Sequence, residues 1–309
     1  MTERFILIGH PVAQSVSPPI HQKAYSAFNR KAEYHLVDAP TEDDVAECVD
    51  QIRLGQISGA NITVPWKKLA LRLADRVADS AQKVGAANVL ARNAQGEVVA
   101  HNTDAIALAE ELKLAYSALL ASQGKAANTP PGSAMILGAG GAALAAVVSA
   151  RQAGATHVYV SARRFTKGSE PESWPGADEL LAIGAELIPW PSDTGVQEVF
   201  FAALQNCTWL IQATSAGMKG KASGEGLAQM LHLSQVKPLV AYDLIYNPTM
   251  TPFLIEAERF GHIARGGLGM LVGQAAHAID IWWGILPEQQ PLLQAAREAM
   301  GLSPVVEGT

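Results

Sequence analysis

Three observations predict an α/β fold divided into two domains. Short apolar runs of strand character alternate with helical patterns along the chain, as in sheets of largely parallel strands covered by helices. That alternation starts afresh at Ser133, after a polar, irregular stretch from Gln123 to Gly132 that carries Pro130-Pro131. The length of 309 residues also exceeds the roughly 250–300 at which a single core stops growing.

Taken in order, Phe5 to Gly9 reads as a buried strand. Ser17-Pro18 opens a helix reaching about Asn29, with Ser17 as N-cap and Pro18 at the first helical position. Glu33 to Asp38 is the next strand, followed by a helix with Thr41 as its cap. Gly59 to Val64 is a short buried strand, and Pro65, which cannot extend a ladder, pre-sets the first turn of the helix after it. Helical pieces across Leu69–Lys83 lead to a hairpin of Asn88–Arg92 and Glu97–His101 around the polar turn Asn93-Ala94-Gln95-Gly96. A long helix runs from Asp104 to about Ser122. The second domain begins with strand Ala134–Leu137, helix Gly141–Ala153 and strand His157–Ser161. Later strands fall at Glu186–Ile188, Trp209–Gln212 and Leu239–Asp243, while Pro171–Gly176 and Met218–Gly226 read as loops. Met270–Trp283 and Pro291–Met300 are the closing helices.

Composition excludes several classes. A formal charge of −6 with no basic block argues against nucleic acid as the main partner. Cys48 and Cys207 are far apart and lack metal-ligand spacing, so they are expected as free thiols, and no metal site is predicted. Met1-Thr2-Glu3-Arg4 runs straight into a strand without an apolar signal segment, and no run approaches the roughly 20 apolar residues that span a bilayer. The expectation is a cytoplasmic protein with a small-molecule substrate and no membrane partner, monomeric or homodimeric.

Lys67 ends the stretch Asn61-Ile62-Thr63-Val64-Pro65-Trp66-Lys67, which places it near the carboxyl end of a strand, where a lysine can serve as a general acid or base. Ser15-Val16-Ser17-Pro18 sets two hydroxyls just before a helix N-terminus, a pair able to hold a carboxylate. Asn88 and Asp104 both stand at strand ends, Asp104 being equally placed to cap the following helix.

Gly138-Ala139-Gly140-Gly141-Ala142-Ala143 follows a predicted strand and opens a predicted helix, the context that turns a glycine pattern into a dinucleotide-binding loop. Gly138 permits the turn, Gly140 lets the backbone approach the pyrophosphate, and Gly141 and Ala142 begin the helix whose N–H groups face the phosphates. The end of the next strand decides between cofactors. It carries Ser161-Ala162-Arg163-Arg164, then Lys167, with no carboxylate before Glu170. Guanidiniums there suit the 2′-phosphate of NADP rather than the bare ribose of NAD.

These residues resemble a known family. Gly9-His10-Pro11, Ser15-x-Ser17-Pro18-x-x-His21 and Asn61-Ile62-Thr63-Val64-Pro65-x-Lys67 are similar to the N-terminal half of shikimate dehydrogenases. Gly85-Ala86-x-Asn88, Asn102-Thr103-Asp104, Ala213-Thr214-Ser215-x-Gly217-Met218, Tyr242-Asp243-x-x-Tyr246-Asn247-Pro248, Thr251-Pro252-Phe253-Leu254 and Gly267-Leu268-Gly269-Met270-Leu271-x-x-Gln274-Ala275 extend the resemblance over almost the whole chain. The resemblance implies a substrate domain of residues 1–103, completed by C-terminal helices in 270–309 that pack back on it, and a Rossmann-type NADP domain of residues 104–269. It implies reversible NADPH-dependent reduction of 3-dehydroshikimate to shikimate. Lys67 and Asp104 would stand at the reacting oxygen, Ser15 and Ser17 at the carboxylate with Tyr246 nearby, and Thr63, Asn88 and Gln274 at ring hydroxyls. The motifs of Thr214 and Gly267 would join the cofactor side.

The chain departs from the family pattern at Ala162 (commonly Asn), Arg164 (Thr), Gln212 (Asn) and Ala105 (Gly). The alternatives are a quinate or dual quinate/shikimate dehydrogenase, NAD-using in some paralogues, and a ligand-sensing member of the fold without turnover. Retention of both Lys67 and Asp104 argues against the last.

Overall fold

The computed structural model describes residues 2–165 and 173–303. They form two compact units, residues 1–107 with 271–309, and residues 108–270.

In the first unit, β1 (Glu3–Gly9), α1 (Ser17–Ala27), β2 (Ala32–Asp38), α2 (Glu42–Arg53) and β3 (Gly59–Ile62) alternate as expected. Then come α3 (Lys67–Leu73), β4 (Arg76–Val77), α4 (Asp79–Val84) and the pair β5 (Val89–Arg92) and β6 (Val98–His101). The sheet order is β2-β1-β3-β5-β6-β4. It is mixed rather than largely parallel, because β3–β5 and β5–β6 are antiparallel. The short connection at Asn93 forces the second reversal, and Asn93 Oδ1 holds it by accepting the N–H groups of Gln95 and Glu97 at 3.0 and 2.9 Å. Thr41 caps α2 through a full capping box with Asp44. One face of the sheet closes over an aliphatic core of Ile6, Ile8, Val49, Ile52, Ala60, Ile62 and Leu90.

The chain enters the second unit within α5 (Asp104–Ser122). There β7 (Ser133–Leu137), α6 (Gly141–Gln152), β8 (Val158–Ser161), α7 (Ala177–Ala182), β9 (Glu186–Ile188) and α8 (Thr194–Leu204) lead to β10 (Cys207–Gln212). After α9 (Glu225–Met230) come β11 (Val240–Asp243), α10 (Pro252–Arg259) and β12 (Ile263–Gly266). The sheet β12-β11-β10-β7-β8-β9 is parallel at every pairing, the doubly wound order that reverses between β7 and β10. Such a sheet is covered on both sides, which is why β7 is buried at every position. At the end of β11, Asp243 accepts the Ile245 N–H at 3.0 Å and the Thr251 hydroxyl at 2.6 Å, tying the following loop to the cap of α10. Burial pushes the Asp243 carboxyl up to about 6.

The chain leaves this unit within α11 (Leu268–Trp283) and ends in α12 (Gln289–Ala299), which packs on α1. Trp282 explains why position 59 is glycine: a Cβ there would lie 2.4 Å from the indole nitrogen, which donates to the Leu90 carbonyl at 3.2 Å. The first crossing falls four residues beyond the expected boundary and the second one residue beyond it, because α5 and α11 are continuous helices whose ends belong to different units. Among the described residues no helix is long and apolar enough to cross a membrane, and no His, Cys, Asp and Glu cluster could hold a metal ion. Cys48 and Cys207 are free thiols.

Candidate active site

Strand alternation sorts the residues of β3 first. Ala60 and Ile62 enter the aliphatic core, so Gly59, Asn61 and the following Thr63 fall on the other face. Thr63 gives its N–H to the Ile8 carbonyl at 2.9 Å and accepts that of Trp66 at 3.0 Å, which closes the turn leading into α3. Pro65 sits inside this turn and α3 starts only at Lys67, so the proline ends the strand without forming the first helical turn. The Trp66 indole pins the turn to the Ala39 carbonyl at 2.7 Å, and the Lys67 carbonyl accepts the Ala87 N–H at 2.9 Å. The backbone under Lys67 is therefore held from both sides.

Lys67 Nζ donates to Asp104 Oδ2 at 2.6 Å, and Asn88 Nδ2 donates to the other carboxylate oxygen at 3.0 Å. The two side chains of the ion pair are 26% and 10% exposed, sheltered yet reachable from solvent. Asn88 is buried and heavily engaged. Its Oδ1 accepts the Thr103 N–H at 2.7 Å, while Nδ2 also lies 2.9 Å from Thr103 Oγ1 and 3.4 Å from Gln274 Oε1. Thr103 in turn donates its hydroxyl to the Gln274 carbonyl at 3.0 Å. Lys67, Asn88, Asp104 and Gln274 thus form one hydrogen-bonded cluster, with Thr103 as the joint that sequence reasoning passed over inside its motif. Asp104 does not cap α5; Asn102 does so, accepting the Ala105 N–H at 3.1 Å and leaving the carboxylate to the lysine. An ammonium oriented by a carboxylate can stabilise and then protonate an oxygen that gains negative charge.

The serines are arranged differently from expectation. Ser17 is the first residue of α1 and caps nothing, since Val16 occupies the cap position without a side-chain bond. Ser15, expected to have no structural duty, accepts the Ser17 N–H at 3.2 Å and donates its hydroxyl to Ser17 Oγ at 3.1 Å. Thr63 packs against Gly9, where an added Cβ would lie 2.3 Å from its methyl group. Asn61 is also buried and accepts the Tyr34 hydroxyl at 2.7 Å. A polar residue in an otherwise apolar strand was the signal that could have marked it.

In the second unit, Gly138 adopts φ +111°, and a Cβ there would lie 2.9 Å from Thr214 and 3.0 Å from the Ala213 carbonyl. Gly138, Ala139, Ala162, Arg163, Arg164 and Thr214 line a cavity of about 710 Å³ that continues to Trp190 and Leu227. Among the described residues that line it there is no carboxylate. A Cβ on Gly140 or Gly141 would meet nothing within 4 Å, so the backbone at the start of α6 is open to a close-lying group. Arg164 donates to the Ala139 carbonyl, fastening the loop after β8 to the glycine loop, whereas Arg163 has no side-chain hydrogen bond or ion pair among the described residues. Open backbone, a helix N-terminus and the guanidinium of Arg163 fit a phosphorylated dinucleotide. Gly140, Gly141 and Ala142 lie at the start of α6 outside the cavity lining. Gly267 is packed instead against Leu244, whose carbonyl would lie 2.3 Å from its Cβ. Tyr246, half-buried, stands in the loop tied by Asp243, and Lys167 lies outside the described residues.

Comparison with known proteins accords with this geometry. The sequence pattern of the shikimate dehydrogenase substrate binding domain matches residues 7–90. The chain is 33% identical to shikimate dehydrogenase (NADP(+)) of Geobacter sulfurreducens, over 92% of each chain. It belongs to the shikimate dehydrogenase family. Among solved structures it is similar to a shikimate 5-dehydrogenase of Thermus thermophilus in complex with NADP(H) and shikimate, at 29% identity and a TM-score of 0.74, covering 96% of this chain and 100% of that one. A ligand-free 5-ketofructose reductase of a Gluconobacter species matches with the same TM-score of 0.74 at 25% identity, over 96% of this chain and 99% of that one. Fold likeness alone therefore does not choose the substrate within this architecture.

Proposed function

We propose that this protein is an NADP-linked shikimate dehydrogenase, which reversibly reduces 3-dehydroshikimate to shikimate with Lys67 and Asp104 as its acid–base pair. The single observation that carries the reading is the 2.6 Å Lys67–Asp104 contact, with Asn88 on the second carboxylate oxygen. NADPH, when bound, supplies the hydride to the carbonyl carbon. As charge builds on the carbonyl oxygen, the Lys67 ammonium stabilises it by hydrogen bonding and then delivers the proton that completes the alcohol. In the reverse direction Lys67 takes that proton from the hydroxyl. Asp104 orients the ammonium in both directions, and Asn88 fixes the rotation of the carboxylate.

Ser15 and Ser17 are assigned to the substrate carboxylate, with Thr63 and Gln274 turned to ring hydroxyls and Asn88 shared between ring and carboxylate. Tyr246 is assigned to the carboxylate end. Arg163 is assigned to the 2′-phosphate, Arg164 to the position of the glycine loop, and the N–H groups at the start of α6 to the pyrophosphate. The unit of residues 1–107 with 271–309 is assigned as the substrate domain and that of residues 108–270 as the cofactor domain. The test is incubation of the purified protein with shikimate and NADP, with the product identified by chromatography and NMR. Stoichiometric 3-dehydroshikimate and NADPH are expected; absence of both overturns the reading.

A further inference from the structure

Trp190 lies outside every motif that the sequence singles out, yet it lines the cavity of the second unit. It follows β9 in the segment Pro189-Trp190-Pro191, where a proline ring fixes φ on either side and the second proline disfavours helical backbone at Trp190 itself. The segment is tied down at three points. The Trp190 N–H donates to the Phe165 carbonyl at 3.0 Å, the Trp190 carbonyl accepts the Ser192 N–H at 2.7 Å, and the Ser161 hydroxyl donates to the Pro189 carbonyl at 3.1 Å. Two of these bonds run to the end of β8 and the loop after it, the loop that carries Arg163 and Arg164.

The side chain has two environments. Half-buried, it packs against the core that includes Ile188, Phe200 and Leu210, and it also borders the cavity. Leu227 and Met230 of α9 line the same cavity and pack against the same core. The indoles of Trp66, Trp209, Trp282 and Trp283 each donate to a protein oxygen, whereas that of Trp190 donates to none among the described residues. The ring is therefore not placed there as a hydrogen-bonding tie. A flat apolar surface, backed by core and set on a stiff segment, offers stacking area at little cost in lost freedom.

Arg163 indicates which part of a dinucleotide would lie here. It stands two residues before Phe165, which receives the Trp190 N–H, and it lines the same cavity without an ion pair among the described residues. Its guanidinium suits the 2′-phosphate, which belongs to the adenosine half of the cofactor. Besides phosphate and ribose, that half offers one planar group, the base. We propose that Trp190 is the stacking surface for the adenine ring of the cofactor. This rests on the assignment of the cavity to NADP. Arg163 meets a phosphate that NAD lacks, while Trp190 meets a ring that NADP and NAD share. Trp190 thus sets the affinity for both cofactors, and Arg163 the choice between them.

The experiment is titration calorimetry of wild type, Trp190→Ala and Trp190→Phe with NADP, NAD and adenosine 2′,5′-bisphosphate, each variant being checked by thermal melt. Removing an aromatic surface from beneath a base lowers affinity roughly ten- to a hundredfold, so Trp190→Ala should raise Kd by such a factor for all three ligands. The ratio of NADP to NAD affinity should not move. Trp190→Phe keeps a π-face and should stay within about threefold of wild type. An unchanged Kd in Trp190→Ala, or a loss confined to the two 2′-phosphorylated ligands, overturns the inference and leaves the cofactor reading standing. Failure of the wild type to bind adenosine 2′,5′-bisphosphate overturns the cofactor reading, and the inference with it. Because Trp190→Ala also removes core packing, Trp190→Leu refills the core side without supplying a planar ring. The same common loss is expected from it, and wild-type affinity in a folded Trp190→Leu overturns the proposal.

Discussion

Removing the ammonium from the Lys67–Asp104 pair separates the catalytic contribution proposed for it from its structural one. In Lys67→Ala, Asp104 keeps Asn88 on Oδ1 but loses the donor on Oδ2. A hydrogen bond to a charged group contributes about 1.5–3 kcal/mol when sheltered. Here the partners are 26% and 10% exposed, and solvent screening puts the stability loss at the low end of that range or below it. Loss of a general acid–base group costs roughly 10²–10⁴ in rate, or about 3–5 kcal/mol of barrier. The turnover loss should therefore exceed the folding loss by a clear margin. The assay pairs a thermal melt with kcat for shikimate oxidation and with NADPH affinity, which should not move. Asp104→Asn should also lose heavily, and the double variant should lose less than the sum because both groups act on one proton. Turnover of Lys67→Ala within a few-fold of wild type would refute the reasoning.

Arg163→Ala should raise KM for NADP by roughly 10- to 100-fold, the loss of a charge-assisted contact, and leave NAD nearly unaffected; equal losses for both cofactors contradict its assignment to the 2′-phosphate. Arg164→Ala should weaken NADP and NAD binding alike, read by titration calorimetry, because its guanidinium holds the Ala139 carbonyl; a loss confined to NADP would give it the phosphate instead. The carboxyl of Asp243, raised to about 6 in the fold, favours the folded state below its unfolded value and loses that contribution as pH rises toward 6. Asp243→Asn should remove a pH-dependent term of up to about 3 kcal/mol, so that wild type weakens relative to the variant between about pH 4 and pH 6. Parallel stability profiles in urea across that interval would contradict it.

Much of this architecture was legible from local chemistry. Thr41 with Asp44 announces α2, Asn93 to Gly96 announces the hairpin, and the glycine loop announces the start of α6, because in each case the signal lies within a few residues of the structure it makes. Lys67 and Asp104 were legible for the same reason, each standing just past a strand end. Other features depend on distant partners. Both residues of β4 are exposed, so no apolar pattern marks a strand that exists only by pairing with β6. Helix α9 begins in a glycine-containing segment that reads as a loop, yet it packs against α10. The local capping rule misassigned Ser17, because Ser15 already satisfies its N–H. The largely parallel sheet expected for the first unit became mixed because a short hairpin returns β5 and β6 against β3. The Tyr34–Asn61 contact joins residues that only the sheet brings together, and no spacing rule reaches it.

The most direct measurement compares kcat/KM for shikimate and for quinate, each with NADP and with NAD, by following formation of the reduced nicotinamide. Quinate adds a hydroxyl on a tetrahedral carbon beside the carboxylate, which, on the proposed assignment of Ser15 and Ser17 to that carboxylate, would have to fit against their side chains. Burying that hydroxyl unpaired costs on the order of 1–3 kcal/mol, a preference of roughly ten- to a hundredfold. The account predicts that shikimate with NADP gives the highest value of the four. Comparable values for the two acids, or a higher value with NAD, would contradict it.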